Sequence, residues 1–169
     1  MVKNVSETQS FKFISLTKES YLKELLDKAD EAFKNYLGFN KSIEVLSKKL
    51  LIPDERHKYW IIQIDGECAG ILYIYDYKEE YKKCSLGYGL LPKFRGKSYS
   101  TNITNSFCDF LHKEYDIIRI QVDIEVANLR CLGFFTSHSD ELGFKYEGTA
   151  DNYWGCGKSV KIFSKCYTD

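Results

Sequence analysis

Apolar residues recur along this chain at two spacings, which predict strands and helices in alternation. Between residues 11 and 16, apolar and polar residues alternate as they do in a half-buried strand. From Tyr21 to Phe33 the apolar residues recur every three or four positions, which predicts one helix that ends near Gly38. A second helix has the same spacing and stops before Pro53, since the residue before a proline disfavours helical backbone.

The middle of the chain predicts a hairpin followed by a strand and a longer helix. Two apolar runs, 59–65 and 68–76, flank the dipeptide Asp65-Gly66, which is a strong hairpin signal. A third strand ends at Leu91-Pro92, and the apolar spacing from Tyr99 predicts a helix of about four turns behind it.

The last third adds a strand over 117–124, a short helix around Leu132, and two final strands over Phe144–Thr149 and Ser159–Lys165. The full order is β-α-α-β-β-β-α-β-α-β-β. Such mixing indicates an α/β layer structure around a mixed sheet. We expect one domain that spans residues 1–169.

Charge and composition exclude some partners. Basic and acidic side chains are balanced at 24 each, so no overall field attracts nucleic acid or an anionic membrane. No apolar run approaches a membrane span, and the first ten residues lack the apolar core of a signal peptide. We therefore expect a cytoplasmic protein. The six cysteines form no Cys-x-x-Cys pair and the three histidines are scattered, which predicts reduced, mostly buried thiols and no metal site.

The stretch Leu86–Ser100 has the outline of a phosphate site. An apolar strand stops at Leu91-Pro92, and a helix opens at Ser98. The turn between them carries Lys93, Arg95, Gly96 and Lys97. A helix N-terminus leaves backbone N–H groups without partners, and these attract anions.

This order of elements, with Arg95–Ser100 at the turn, Asn128–Cys131 after a later strand and Leu142–Gly148 beyond it, resembles the GNAT family of acyl-CoA N-acetyltransferases. Within that family the chain is most similar to the branch that acetylates ribosomal-protein N-termini. The resemblance implies the GNAT fold, a mixed six- to seven-stranded sheet flanked by about four helices. It also implies acetyl-CoA as the donor and a primary amine as the acceptor, such as a protein N-terminus, a polyamine or an aminoglycoside.

The resemblance also assigns the cofactor contacts. The backbone amides of the turn would hold the pyrophosphate of acetyl-CoA, through Arg95, Gly96, Lys97, Ser98, Tyr99 and Ser100. Ser98 and Ser100 stand where the family usually has small glycine or alanine residues, and serine caps helix N-termini well. The backbone of Leu90 and Leu91 would pair with the pantetheine arm, and Asn128 would hydrogen-bond it from the other side. The alternatives are an ordinary capped turn and, for Asn128, a plain helix cap.

The residues that would move protons differ from the family pattern. Phe135 stands beside the expected thioester, at the position of a tyrosine that donates a proton to the leaving thiolate, and Ser85 replaces a common glutamate. Asp123 and Glu125 alternate to one side of their strand, where each is either a general base or a solvated surface acid. The run Thr136–Glu141 is longer than usual and fits an extra helical turn or a loop over the site.

Two interpretations remain for the whole chain. The first is an acetyl-CoA-dependent N-acetyltransferase. The second, motivated by the replacements at positions 85, 98, 100 and 135, is a catalytically silent GNAT domain that acts as an acyl-CoA sensor or interaction module. The tyrosine-rich strand Tyr73–Tyr77 either lines an acceptor site or packs the sheet. A homodimer is compatible with both interpretations, although no residue specifies the oligomeric state.

Overall fold

The structure is a computed structural model that describes residues 10–52 and 54–168. These residues form seven strands: β1 (Phe11–Ser15), β2 (Lys58–Ile64), β3 (Glu67–Lys78), β4 (Lys83–Leu90), β5 (Arg119–Glu125), β6 (Lys145–Ala150) and β7 (Val160–Cys166). The helices in the same residues are α1 (Glu19–Lys28), α2 (Glu31–Leu37), α3 (Ile43–Leu50), α4 (Tyr99–Tyr115) and α5 (Leu129–Leu142). The strands form a sheet with the order β1-β2-β3-β4-β5-β7-β6. The predicted α/β class with a mixed sheet is confirmed.

The first predicted helix is two helices in the structure. A single helix was expected to run to Gly38, but Ala29 is extended (φ −80°, ψ 135°) and separates α1 from α2. Asp30 then caps α2, because its side chain accepts a hydrogen bond from the backbone N–H of Phe33 at 2.8 Å. The apolar spacing continues through this break, so the spacing alone did not reveal it.

The described residues divide into two compact units. The first unit contains residues 10–52, Tyr59–Leu72 and Tyr88–Arg95, and the second contains residues 54–58, Tyr73–Gly87 and 96–168. β3 and β4 each contribute residues to both units. One domain over the whole chain stays a prediction.

In the first unit, β1 pairs antiparallel with β2, and α1 to α3 supply apolar side chains to a core. The fully buried members of this core include Leu22, Leu25, Leu46, Ile61 and Ile62. Asp65 and Gly66 form the turn between β2 and β3 with positive φ angles of 50° and 82°. A type I′ hairpin turn requires positive φ at both central positions, so the predicted hairpin is confirmed.

In the second unit, β7 pairs antiparallel with both β5 and β6, whereas β4 pairs parallel with β5 from Lys83↔Arg119 to Ser85↔Gln121. The longest helix, α4, buries Phe107, Cys108 and Leu111. The run Thr136–Glu141 lies inside α5, so the extra helical turn is the alternative that the structure adopts. No helix among the described residues is long and apolar enough to cross a membrane.

Candidate active site

The turn before α4 has the backbone geometry of an anion site. Gly96 has a φ of +69° and Ser98 a φ of +61°, so two residues of this turn have left-handed backbone before the 17-residue helix begins at Tyr99. Neither Lys97 nor Ser98 donates its backbone N–H to another group in the described part of the chain. These groups and the positive end of the helix dipole fit the oxygens of a pyrophosphate.

Ser98 does not cap α4 in the way that the sequence suggests. Its backbone is left-handed (φ 61°, ψ 19°), and its side chain accepts no capping hydrogen bond. A capping residue normally has an extended backbone, which directs its side chain toward the N–H groups of the first turn. The serine at this position therefore has the backbone conformation that favours glycine, without the usual compensation of a cap.

The guanidinium of Arg95 binds protein groups of the first unit. Nη1 and Nη2 donate to the two carboxylate oxygens of Asp30 at 2.7 and 2.9 Å, and Nε donates to the carbonyl of Leu90 at 2.9 Å. The hydrogen bonds from Arg95 and from the N–H of Phe33 lower the pKa of Asp30 to about 2. The Arg95 side chain thus holds the end of β4 and the start of α2, and a phosphate contact from it stays a prediction.

The backbone of Leu90 and Leu91 is already partly engaged. The N–H of Leu91 donates to the carbonyl of Ala69 at 2.8 Å, and the carbonyl of Leu91 accepts from the N–H of Phe94 at 2.9 Å. The carbonyl of Leu90 accepts from Arg95. A pantetheine arm that pairs here as an added strand would share these carbonyls, which their second lone pairs allow.

Asn128 lies at the start of α5 in the second unit. Its Oδ1 accepts the N–H of Cys131 at 3.2 Å, so the plain helix cap that the sequence offered as an alternative is present. Its Nδ2 has no hydrogen-bond partner among residues 10–52 and 54–168. The cap fixes the side chain and leaves this amide group as a donor, so capping and pantetheine binding are compatible.

Phe135 is fully buried in α5. Its ring contacts those of Phe134, Phe144 and Phe163 with centroid separations of 5.3, 5.4 and 5.7 Å. A side chain with no exposed surface cannot line a cofactor groove in this conformation. The sequence offset from Asn128 therefore identified a core position, and a cofactor contact for Phe135 stays a prediction without geometric support.

Asp123 and Glu125 lie on the same side of β5 in different surroundings. Asp123 is only 8% exposed, and its carboxylate accepts hydrogen bonds from the hydroxyl of Tyr75 at 3.0 Å and from Nε2 of Gln121 at 2.7 Å. Glu125 is half-buried and faces Lys158 at 3.7 Å. Asp123 is therefore a hydrogen-bonded interior carboxylate, and the solvated alternative does not describe it. The general-base role stays a prediction for both.

Tyr75 and Gln121 belong to a polar network that the sequence did not identify. Arg119 donates to Oε1 of Gln121 at 3.2 Å and forms two hydrogen bonds with Glu147, the shorter at 2.6 Å. The pKa of Tyr75 is raised well above the ordinary range, mainly by burial and then by Asp123, so this phenol keeps its proton and donates a hydrogen bond to the carboxylate. β5 carries Arg119, Gln121 and Asp123 at every second position. Because side chains along a strand point alternately to its two faces, this spacing could have placed all three on one face.

A polar cleft of about 200 Å³ opens on this face of the second unit. We refer to it as the polar cleft. Its lining residues are Arg56, Asp76, Lys78, Lys83, Cys84, Ser85, Arg119, Gln121 and Tyr153. Ser85, at the position where the resemblance expected a glutamate, lines this cleft. The polar cleft is therefore our candidate for the acceptor side of the site.

The described residues contain no cluster of three His, Cys, Asp or Glu side chains that could hold a metal ion. The cysteines in the structure are all free thiols. Burial raises the pKa of Cys84, Cys108 and Cys131 above the ordinary value, to about 11 for Cys131 and about 12 for Cys108. These thiols are therefore poor nucleophiles and poor metal ligands, since both roles require the thiolate.

A family model described as an acetyltransferase (GNAT) domain matches residues 15–137. This range contains the turn at Gly96–Ser100, the polar network from Tyr75 to Asp123, and Asn128. Comparison with curated protein sequences gave no match.

Solved structures with the same fold include spermidine N-acetyltransferases from Vibrio cholerae. One, in complex with CoA and spermine, has a TM-score of 0.72 at 15% identity, over 94% of this chain and 95% of that chain. A dodecameric structure in an intermediate state has a TM-score of 0.70 at 16% identity, over 92% and 93% of the two chains. A third, in complex with manganese ions, has a TM-score of 0.68 at 14% identity, over 94% and 92%. At these identities the similarity shows the fold.

Proposed function

The chain belongs to the GNAT acetyltransferase family, and we propose that it transfers the acetyl group of acetyl-CoA to a primary amine. The observation that carries this proposal is the family match across residues 15–137, which contains a turn with free N–H groups at the start of α4. Family membership does not favour the alternative of a silent domain. The narrower resemblance to the ribosomal-protein branch is not confirmed by the comparisons.

The proposed reaction is a direct attack. The neutral amine nitrogen attacks the carbonyl carbon of the thioester, so that an N–C bond forms and the C–S bond breaks. The amine loses one proton and the departing CoA sulfur gains one, which gives an N-acetyl amine and free CoA thiol. The protein has to position the two reactants and stabilise the oxyanion, because proximity and orientation supply much of the rate enhancement in such reactions.

The absence of a tyrosine at position 135 does not prevent this chemistry. A thiol has a pKa of roughly 8.5, so departure as the thiolate near pH 7.5 costs only about 1.4 kcal/mol. The fraction of the acceptor amine that is neutral affects the rate more strongly. A lysine-like amine with a pKa of about 10.4 is neutral roughly once in a thousand at that pH, whereas an α-amine near 7.7–8.0 is neutral about a third of the time. A site with a weak base therefore favours α-amines.

The donor site is supported by residues of the second unit. The N–H groups of Lys97 and Ser98 would bind pyrophosphate oxygens, and the exposed ammonium of Lys97 would add positive charge beside them. The free Nδ2 of Asn128 would donate to the pantetheine arm. When bound, acetyl-CoA supplies the activated acetyl group, and the chain supplies orientation and charge.

Release of free CoA thiol tests the proposal. The protein is mixed with acetyl-CoA and an amine panel that contains a short peptide, spermidine, an aminoglycoside and free amino acids. We expect thiol release with at least one of them. Stabilisation by acetyl-CoA in a thermal shift without release for any amine would support the silent alternative. No stabilisation at saturating acetyl-CoA would contradict both.

A charge reversal tests the donor site. Lys97→Glu places a carboxylate beside the proposed pyrophosphate, so we expect the KM for acetyl-CoA to rise by about fivefold or more. Lys145→Glu, an exposed position on β6, is the matched control and should leave that KM within about twofold. Equal changes of this KM in the two variants would mean that the phosphates of acetyl-CoA bind away from Lys97.

The cytoplasmic location and the homodimer are retained as expectations from the sequence. The similar structures include a dodecamer of another protein, so the oligomeric state of this chain is best determined by light scattering.

A further inference from the structure

The polar cleft has a strong excess of positive charge. Its charged lining residues are Arg56, Lys78, Lys83, Arg119 and Asp76, which are four cations and one carboxylate. The chain as a whole is neutral, since basic and acidic residues both number 24 in the full sequence. The excess is therefore local to this cleft and does not reflect the general composition of the surface.

Two of these cations have carboxylate partners and two do not. Arg56 pairs with Asp76 at 3.2 Å, and Arg119 pairs with Glu147 at 2.6 Å. Lys83 is exposed and forms no ion pair within residues 10–52 and 54–168. Lys78 is half-buried and contacts the ring of Tyr81, with its ammonium 5.7 Å from the ring centroid. Lys78 and Lys83 thus give the cleft a positive charge that carboxylates of the described chain do not neutralise.

The uncharged walls of the cleft suit a small polar ligand. Ser85 offers a hydroxyl from a buried position on β4, and Tyr153 brings a phenol from the segment between β6 and β7. Gln121 connects the cleft to the interior, because its Nε2 donates to Asp123. The cleft therefore has uncompensated cations at Lys78 and Lys83, and Gln121 links it to a buried carboxylate. At about 200 Å³, it is smaller than the sites that take drug-sized ligands.

A polyamine is a poor match for this cleft. Spermidine carries several ammonium groups, and each would enter a space that already holds two cations without carboxylate partners, Lys78 and Lys83. A ligand that carries a carboxylate as well as an amine matches the charge of this cleft better. Its carboxylate pairs with Lys78 or Lys83, and the pair fixes the orientation of the amine.

We infer that the acceptor is an amino carboxylate, such as a free amino acid or a short peptide, whose carboxylate binds Lys78 and Lys83 in the polar cleft. The inference rests on the proposed function and names the substrate class of that same site. The transfer itself is unchanged: the amine nitrogen gains the acetyl group, the C–S bond of acetyl-CoA breaks, and the sulfur leaves as CoA thiol after it receives a proton.

Two matched pairs of amines test the inference. Lysine is cadaverine with one added carboxylate, and ornithine is putrescine with one added carboxylate. With acetyl-CoA in excess, we expect kcat/KM for each amino acid to exceed that of its diamine and that of its carboxamide by about tenfold, as one charge-assisted contact provides. The carboxamide keeps the α-amine and lacks the carboxylate, so it separates the contact with the cleft from the lower pKa of an α-amine. Mass spectrometry of the product confirms that the acceptor has gained one acetyl group.

Variants connect the preference to the cleft. Lys83→Gln and Lys78→Gln should each reduce the ratio of kcat/KM for lysine over cadaverine by about fivefold. Lys145→Gln, on the exposed surface of β6, is the control and should retain the parent ratio. Circular dichroism and thermal unfolding show whether each variant is folded as the parent is.

The outcomes separate the two levels of the proposal. Turnover of the diamines or of spermidine at rates equal to or above those of the amino acids would overturn the inference and leave the acetyltransferase proposal intact. An unchanged lysine preference in both cleft variants would also overturn it. No thiol release with any amine would contradict the proposed function itself, and the inference would fail with it.

Discussion

The guanidinium of Arg95 binds the carboxylate of Asp30 in a two-pronged arrangement, with Nη1 2.7 Å from Oδ2 and Nη2 2.9 Å from Oδ1. Such parallel hydrogen bonds between fixed planar groups are stronger and more specific than a single contact. Asp30 also caps α2 through the N–H of Phe33, and Arg95 also binds the carbonyl of Leu90. One carboxylate thus starts a helix and holds the arginine that fixes the end of β4.

Two substitutions of Asp30 separate these roles. Asp30→Asn keeps a good capping side chain and loses the ion pair, so we expect a loss of about 1 kcal/mol or less, because the carboxylate is 39% exposed and screened by solvent. Asp30→Ala loses the cap as well, and the total loss should reach about 2 kcal/mol. Urea unfolding measures both. Asp27→Asn, at an exposed position in α1, is the control and should be near neutral. Equal losses for Asn and Ala would show that the cap contributes nothing.

The lowered pKa of Glu147 predicts that the protein loses stability in acid. Hydrogen bonds from Arg119 and then from Ser164 lower the pKa of Glu147 to about 2, from an ordinary 4.5. A carboxylate with a depressed pKa in the folded state contributes fully above its unfolded pKa, and this contribution is lost as the pH falls toward the folded value. The affected window is therefore about pH 4.5 to 2. Since the carboxylate is 38% exposed, we expect a discounted contribution of about 1 kcal/mol.

The measurement is the free energy of unfolding at several pH values between 5 and 2. Glu147→Gln should be less stable than the parent at pH 5, and the difference should shrink toward pH 2. Glu141→Gln, an exposed position in α5, removes a carboxylate that forms no ion pair in the described residues, and it should follow the parent curve. A constant difference between Glu147→Gln and the parent across the window would contradict the assignment.

Much of the fold followed from local patterns, because the hydrophobic period and the turn residues act over a few positions. The Asp65-Gly66 turn is an example, since both residues have the positive φ that the dipeptide predicts. The break between α1 and α2 is the counterexample. The apolar spacing continues through this break, so the hydrophobic period does not reveal it, and the ion pair that Asp30 forms there with Arg95 spans 65 residues of the chain.

The candidate site was predictable to a smaller extent for the same reason. The turn before α4 is contiguous in sequence, so its role as an anion site could be inferred from one stretch. The polar cleft draws on β3, β4, β5 and the segment after β6, and its charge excess exists only once these strands are adjacent. Phe135 was predicted to contact the cofactor from its distance in sequence to Asn128. That distance does not reveal which face of the helix is buried, and Phe135 lies on the buried face.

The left-handed backbone of Ser98 predicts that substitution by glycine stabilises the protein. Its φ of +61° imposes roughly 1–2 kcal/mol of steric cost on an L-residue, whereas glycine adopts this angle freely. After the entropy cost of glycine in the unfolded chain, Ser98→Gly should raise the free energy of unfolding by about 0.5–1 kcal/mol. It should also leave the KM for acetyl-CoA equal to or below that of the parent, because the N–H groups stay in place.

The control for this substitution lies in the helix that follows Ser98. Ser106→Gly, at an exposed position in the interior of α4, should lower stability by about 0.5 kcal/mol, since glycine is a poor helix residue. Opposite signs for the two serines are the expected result in urea unfolding. Destabilisation by both would mean that the left-handed conformation at Ser98 carries no strain.

Gly70 and Gly133 form a second pair with opposite expectations. A Cβ added at Gly70 would lie 2.1 Å from the carbonyl oxygen of Gly89, and a backbone oxygen cannot rotate away as a side chain can. Gly70→Ala should therefore lose about 3 kcal/mol or more. A Cβ at Gly133, in the exposed middle of α5, meets nothing within 4 Å, so Gly133→Ala should gain about 0.5–1 kcal/mol. Thermal unfolding distinguishes the two, and a tolerated alanine at Gly70 would contradict the close approach.

Phe135→Tyr tests whether position 135 can serve the reaction. The resemblance to the family places a proton-donating tyrosine here, but the ring is fully buried among Phe134, Phe144 and Phe163. We expect a hydroxyl introduced among these apolar rings to stay without a hydrogen-bond partner, and a buried unsatisfied group costs about 1–3 kcal/mol. We expect Phe135→Tyr to lose that much stability and to leave kcat unchanged between pH 7 and 9.

Phe134→Tyr is the matched control, because Phe134 is half-buried and lies against His138 with a ring separation of 4.9 Å. Its new hydroxyl can reach water, so the loss of stability should be below about 0.5 kcal/mol. A rise in kcat for Phe135→Tyr below pH 8.5, where a thiolate needs help to leave, would contradict the buried placement. It would show that the α5 face opens to the thioester during turnover, and that the replacement at 135 had removed a usable proton donor.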